Sequence, residues 1–111
     1  MRQYMQAVLE RERTFTADFQ TEPYETAWAG EATFYIKAHE VEGEGPRLLA
    51  RVQMSADGLD WVDEGTELAP LTESGVTYVR VRHFGGWLRL ACRLEGTEPR
   101  FTVTIHLILK E

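Results

Sequence analysis

The sequence predicts an all-β fold: an antiparallel β-sandwich of about eight strands, jelly-roll-like, in a single domain. Two observations predict it. Apolar and polar residues alternate with period two, the strand period, and turn-forming residues separate the alternating runs at short intervals. A third bounds it: 111 residues, 43% of them hydrophobic, are enough for one domain with one core.

The alternation is clearest at the C-terminus, where Phe101, Val103, Ile105, Leu107 and Leu109 interleave with Thr102, Thr104, His106, Ile108 and Lys110. A helix would scatter those five apolar residues around its circumference. The same pattern sets Leu88, Leu90, Cys92 and Leu94 against Trp87, Arg89, Ala91 and Arg93. It recurs at Val79 and Val81, at Leu48, Ala50, Val52 and Met54, and at Ala32, Phe34, Ile36 and Ala38. Phe15, Ala17 and Phe19 read as a weaker early strand. Met1–Arg13 fits either a helical stripe (Tyr4, Met5, Val8, Leu9) or an extended arm or first strand, and the arm is preferred. The division is therefore an arm over 1–13 and a sandwich over 14–111.

Gly43-Glu44-Gly45-Pro46, Ala56-Asp57-Gly58, Glu73-Ser74-Gly75 and Glu95-Gly96-Thr97-Glu98-Pro99 are read as loops between strands. Gly85-Gly86 reads as a two-residue hairpin whose central residues need positive φ. That hairpin would pair Phe84 with Trp87 and Arg82 with Arg89. Tyr78, Arg80, Arg82, Phe84, Trp87, Arg89 and Arg93 would then share one sheet face, an arginine-aromatic surface suited to an interface. Acids of the same chain or of a neighbouring subunit would satisfy its arginines.

Little points to catalysis. His39, His83 and His106 lie on separate strands or strand ends, without metal-ligand spacing. Ser55 and Ser74 lack a nucleophile elbow. No catalytic, cofactor-binding or metal-binding residue is assigned, and no cofactor is expected. The acids Asp57, Asp60, Asp63 and Glu64 lack the order of an EF-hand loop and read as a solvated turn. Cys92 is alone, so no internal disulfide forms, and its place in the alternation makes it a core residue.

Net charge is −6, which argues against broad nucleic-acid or anionic-membrane binding. The charge is uneven: Val76–Leu94 holds four arginines and no acid, whereas Asp57–Glu73 is acidic. Arginine outnumbers lysine ten to two and asparagine is absent. The first residues lack the apolar centre of a signal peptide, and the expected location is a virion or the cytoplasm of the cell that produces it.

The segment Ser55-Ala-Asp57-Gly58-Leu-Asp-Trp61 resembles the S-x-D-G-x-x-W turn of discoidin-type jelly rolls. Over roughly residues 31–110, the runs VEGEGPRLLARVQMSADGLDWVDEGT, TYVRVR and WLRLACRLEGTEPRFTVTI resemble small β-rich accessory proteins of tailed-phage and prophage structural modules. The resemblance implies a decoration-type or cement-type component that associates with itself and with a capsid or other shell protein. The rival expectation is a carbohydrate-binding module with Trp61, Trp87 and Tyr78 as stacking platforms.

Overall fold

The computed structural model describes residues 3–111. It contains seven strands: β1 (Tyr4–Phe15), β2 (Phe19–Gln20), β3 (Tyr24–Glu25), β4 (Glu31–Ser55), β5 (Val62–Glu67), β6 (Gly75–Arg82) and β7 (Trp87–Lys110). All pairings are antiparallel. β4 and β7 are the spine, paired from Glu31↔Lys110 to Ser55↔Trp87.

A strand of 24 residues would span about 80 Å if straight. The molecule's longest dimension is 46 Å, so the β4–β7 ribbon folds back on itself. The bend is where register shifts cluster, between Ala38 and Arg47. Backbone of unusual hand concentrates there too, at Gly43 (φ 116°), Gly45 (φ 60°), Gly96 (φ 115°) and Glu98 (φ 49°). At Gly43 and Gly96 the chain also leaves no room for a side chain. A Cβ on Gly96 would lie 2.7 Å from the Gly45 carbonyl oxygen, and one on Gly43 would lie 2.8 Å from that of Glu98.

Each half of the ribbon gains flanking strands. The first half of β4 and the second half of β7 lie between β6 and β1. The other halves lie between β5 and the short β2 and β3. One hydrogen-bonded sheet thus supplies both layers of the sandwich. The inward parity of both halves, including Phe34, Ile36, Leu48, Val52, Leu88, Leu90, Phe101, Val103, Ile105 and Leu107, forms a single core at 0–1% exposure. Buried Thr21 ties the β2–β3 segment to β7, donating its amide to the Leu90 carbonyl at 3.0 Å and accepting the Leu90 amide on its hydroxyl at 2.9 Å.

Four expectations need correction. The glycine-rich runs Gly43–Pro46 and Glu95–Pro99 are bends inside continuous strands rather than loops, because the ladder resumes on both sides of each. The Gly85-Gly86 hairpin does not form, since β6 pairs with β4 and β7 pairs elsewhere. Arg82 sits opposite Glu31 and Arg89 opposite Gln53, and neither glycine takes positive φ. The early strand breaks at residues 16–18, where Phe15 and Phe19 stack face to face. Among the described residues the N-terminal stretch is neither helix nor free arm. It is the edge strand β1, and the division at 13/14 falls inside it.

Candidate functional site

The sandwich presents two outer faces and several strand edges. On the layer built from β1, β7, β4 and β6, the registers place Val8, His106, Tyr35 and Tyr78 side by side across four strands. Tyr35 and Tyr78 stack with centroids 5.8 Å apart. The next row along is Gln6, Ile108, Thr33 and Arg80, and the one beyond is Tyr4, Lys110, Glu31 and Arg82. Val8, Tyr4, Tyr78 and the neighbouring Val76 are 40–61% exposed. Arg82 meets Glu31 at 3.7 Å. Arg80 has no carboxylate among the described residues and lies 5.9 Å from the centre of the Tyr78 ring.

On the other layer a polar chain runs across β4, β5 and β7. The Arg51 Nε and Gln53 Nε2 both donate to Asp63 Oδ1 at 3.0 Å. Arg89 Nε donates to Gln53 Oε1 at 2.8 Å, and its guanidinium lies 4.2 Å from the centre of the Trp61 ring. The Gln53 amide, and after it the Arg51 guanidinium, hold the Asp63 carboxyl below its ordinary value. Partial burial lowers Arg89. Arg93 pairs with Glu95 at 3.0 Å.

The turn that places Trp61 is built by Ser55 and Asp57. Ser55 Oγ accepts the Gly58 amide at 2.8 Å, and Asp57 Oδ1 accepts the Leu59 amide at 2.9 Å and the Asp60 amide at 3.1 Å. Those backbone donors, Leu59 first, depress the Asp57 carboxyl. Gly58 is at φ 81°, and the Trp87 ring packs over it, 3.3 Å from where a Cβ would sit. The loop acids are thus engaged separately, Asp57 in its own turn and Asp63 with Arg51. Among the described residues no group of three or more His, Cys, Asp or Glu is placed to hold a metal.

The seven residues expected to share one face are divided. Tyr78, Arg80 and Arg82 lie on the first layer's outer face, and Trp87, Arg89 and Arg93 on the second's. Phe84 is half-buried against the core. The three aromatic platforms are divided likewise: Trp61 and Trp87 are on one layer and Tyr78 on the other. Sequence reasoning missed Tyr4, Val8, Tyr35 and His106, which stand on the outward parity of their strands. It also missed Arg51 and Gln53, which the β4–β5 register brings to Asp63.

No protein-family model matches the chain, and neither does any curated protein. Among solved structures it is similar to the SPBc2 prophage-derived protein YomS, with a TM-score of 0.61 at 8% identity, over 100% of this chain and 96% of that one. The two chains share a fold over nearly their whole lengths. It is also similar to PirA, with a TM-score of 0.50 at 11% identity, over 97% and 93% of the two chains. TmCBM61, in complex with β-1,4-galactotriose, has a TM-score of 0.45 at 15% identity, over 96% of this chain and 69% of that one. At these identities the likenesses to YomS and PirA concern the fold alone, and the chain's own pairings make that fold an antiparallel β-sandwich.

Proposed function

We propose that this chain is a non-enzymatic structural protein of a phage-type particle, associating with itself and with a larger protein shell as a decoration or cement component does. The observation that carries the reading is the outward-facing row Val8–His106–Tyr35–Tyr78, continuous across four strands, exposed at Val8 and Tyr78 and flanked by Arg80 and Arg82. Large aromatics and arginines sharing one sheet face have the composition of interface centres. The near-complete mutual coverage with a prophage-derived protein supports a phage setting. Contacts made only with the assembled shell would stabilise that state by mass action. The chain would accordingly reside in the virion or in the cytoplasm of the producing cell, with no role for membrane or nucleic acid.

The test is peptide mapping of particles purified from producing cells. The reading expects this chain in fixed proportion to the shell protein, and its absence from washed particles refutes it.

A second reading, a carbohydrate-binding module, is favoured by one observation: Trp61 and Trp87 share a face with the hydrogen-bonding groups of Gln53, Asp63 and Arg89. Sugar stacking needs a bare ring face, and Arg89 already covers one face of Trp61. Retention on immobilised polysaccharide that is lost in Trp61→Ala would support this reading, whereas no retention of the parent chain would refute it.

A further inference from the structure

The sandwich ends laterally in strands that are hydrogen-bonded on one side only. A bare strand side offers unpaired N–H and C=O groups to any other strand, and proteins ordinarily guard such edges with bulges, charges or brevity. The edges of this molecule are guarded unequally. β1 carries two register shifts, a positive φ at Glu12 and the run Glu10-Arg11-Glu12-Arg13. β5 spans six residues, three of them acids, and is broken by Gly65 at φ 110°. β2 and β3 have two residues each.

β6 differs. It runs eight residues in unbroken register with β4, has no bulge, acid or proline, carries two arginines on its outer face as its only charges, and pairs with no strand on its other side among the described residues. Val76 and Tyr78 on it are 61% and 54% exposed. An open groove of about 500 Å³, lined by Ala69 and Val76–Arg80, runs along it.

We infer that this edge binds the β6 edge of a second copy of the chain, the two strands pairing antiparallel about a two-fold axis at Val79. The inference rests on the self-association proposed above and names its surface. The occupant follows from the placement of side chains in that register. Val79 meets the partner's Val79 and Thr77 meets the partner's Val81, all on the core side, so the apolar layer continues across the junction. On the outer side Tyr78 meets the partner's Arg80, and Val76 meets the partner's Arg82. No two arginines stand directly opposite, which the pairing requires because facing like charges destabilise a sheet. Arg80, which meets no carboxylate among the described residues, instead lies against a second tyrosine ring. Two-fold self-complementary contact is also the commonest closed form of association.

The experiment is light scattering of the full chain over a range of concentrations, with Tyr78→Lys and Tyr78→Glu beside the parent. Circular dichroism confirms folding. The parent is expected as a dimer. Tyr78→Lys sets an ammonium opposite the partner's Arg80 and should weaken dimerisation by at least about tenfold. Tyr78→Glu sets a carboxylate there and should keep or tighten the dimer at low salt, losing the gain at high salt. If Tyr78→Lys does not fold, Val76→Lys, opposite the partner's Arg82, takes its place with the same expectation. A parent dimer that both charge variants leave unchanged, or weaken equally, overturns the edge assignment and leaves self-association standing on another surface. A parent that stays monomeric overturns the edge assignment; if it still co-purifies with particles, the structural-protein reading survives without it, and if it does not, both fail.

Discussion

The fold-back of the β4–β7 ribbon can be tested at a single glycine pair. Gly96 and Gly65 have nearly the same backbone, φ 115° and φ 110°, but differ in surroundings. A Cβ on Gly65 meets nothing within 4 Å, whereas one on Gly96 would stand 2.7 Å from the Gly45 carbonyl oxygen and 2.9 Å from that of Glu44. Gly65→Ala therefore measures backbone strain alone, about 1–3 kcal/mol, less about 0.4–1 kcal/mol for restricting the unfolded chain. Gly96→Ala incurs the same strain and must also push two backbone carbonyls of the facing strand outward, adding roughly 1–3 kcal/mol as overpacking does. The difference between the two variants cancels the shared terms and isolates the close approach at the bend. Urea unfolding followed by tryptophan fluorescence reads it from the midpoints at constant slope. A Gly96→Ala variant no less stable than Gly65→Ala would mean that the two spine strands do not cross closely there, and the folded ribbon would be wrong.

Ile105, fully buried in the second half of β7, should cost about 2–5 kcal/mol when changed to Ala; in a chemical denaturation series, a loss below about 0.5 kcal/mol would place it on the outer face. Burial pushes the Cys92 thiol from the ordinary 9.0 up to about 12, so it should resist thiol reagents in the native state and react on unfolding. The folded state keeps a proton that the unfolded chain releases above about pH 9. The Cys92 contribution to stability should therefore be constant below that pH and fall by up to about 1.4 kcal/mol per pH unit towards pH 12. Rapid native labelling, or a flat alkaline profile, would refute that burial. For Asp57 and Asp63 the sign is opposite. Both carboxyls are depressed by their donors, so their contribution is present above pH 3.8 and lost as the pH falls through their folded values. Carboxyl NMR titrations should place both midpoints below 3.8, and midpoints at or above it would mean the turn and the Arg51 contact are not formed.

Which residues face inward was legible in the sequence. Of the positions that alternation assigns to the core, Phe34, Ile36, Val52, Val81, Leu88, Leu90, Cys92, Val103, Ile105 and Leu107 are buried, and Val79 is half-buried against them. Period-two patterning reports the side of a strand because burial acts on each residue singly. It does not report the partner, since an alternating strand suits any neighbour with a complementary face. Alternation accordingly joins β6 to β7 across Gly85-Gly86, whereas its partner is the first half of β4, 37 to 51 residues earlier in the chain at Glu31–Ala38. The same limit governed the surface, because a face spanning strands is legible only once the pairing is known. Val8, His106, Tyr35 and Tyr78 come from four separate stretches of sequence. The glycine runs misled for a different reason: glycine at positive φ serves a chain-reversing loop and a bulge within a ladder equally well. The Ser55–Trp61 turn was legible because its hydrogen bonds are local, closed within six residues.

The most direct test of assembly through the β6 edge is amide hydrogen exchange on the parent chain at low and high concentration. The account expects protection at Gly75–Arg82 to rise with concentration, while β1 and β5, whose edges are guarded, exchange at unchanged rates. Equal exchange of β6 at both concentrations, in a chain that light scattering shows to have dimerised, would contradict it.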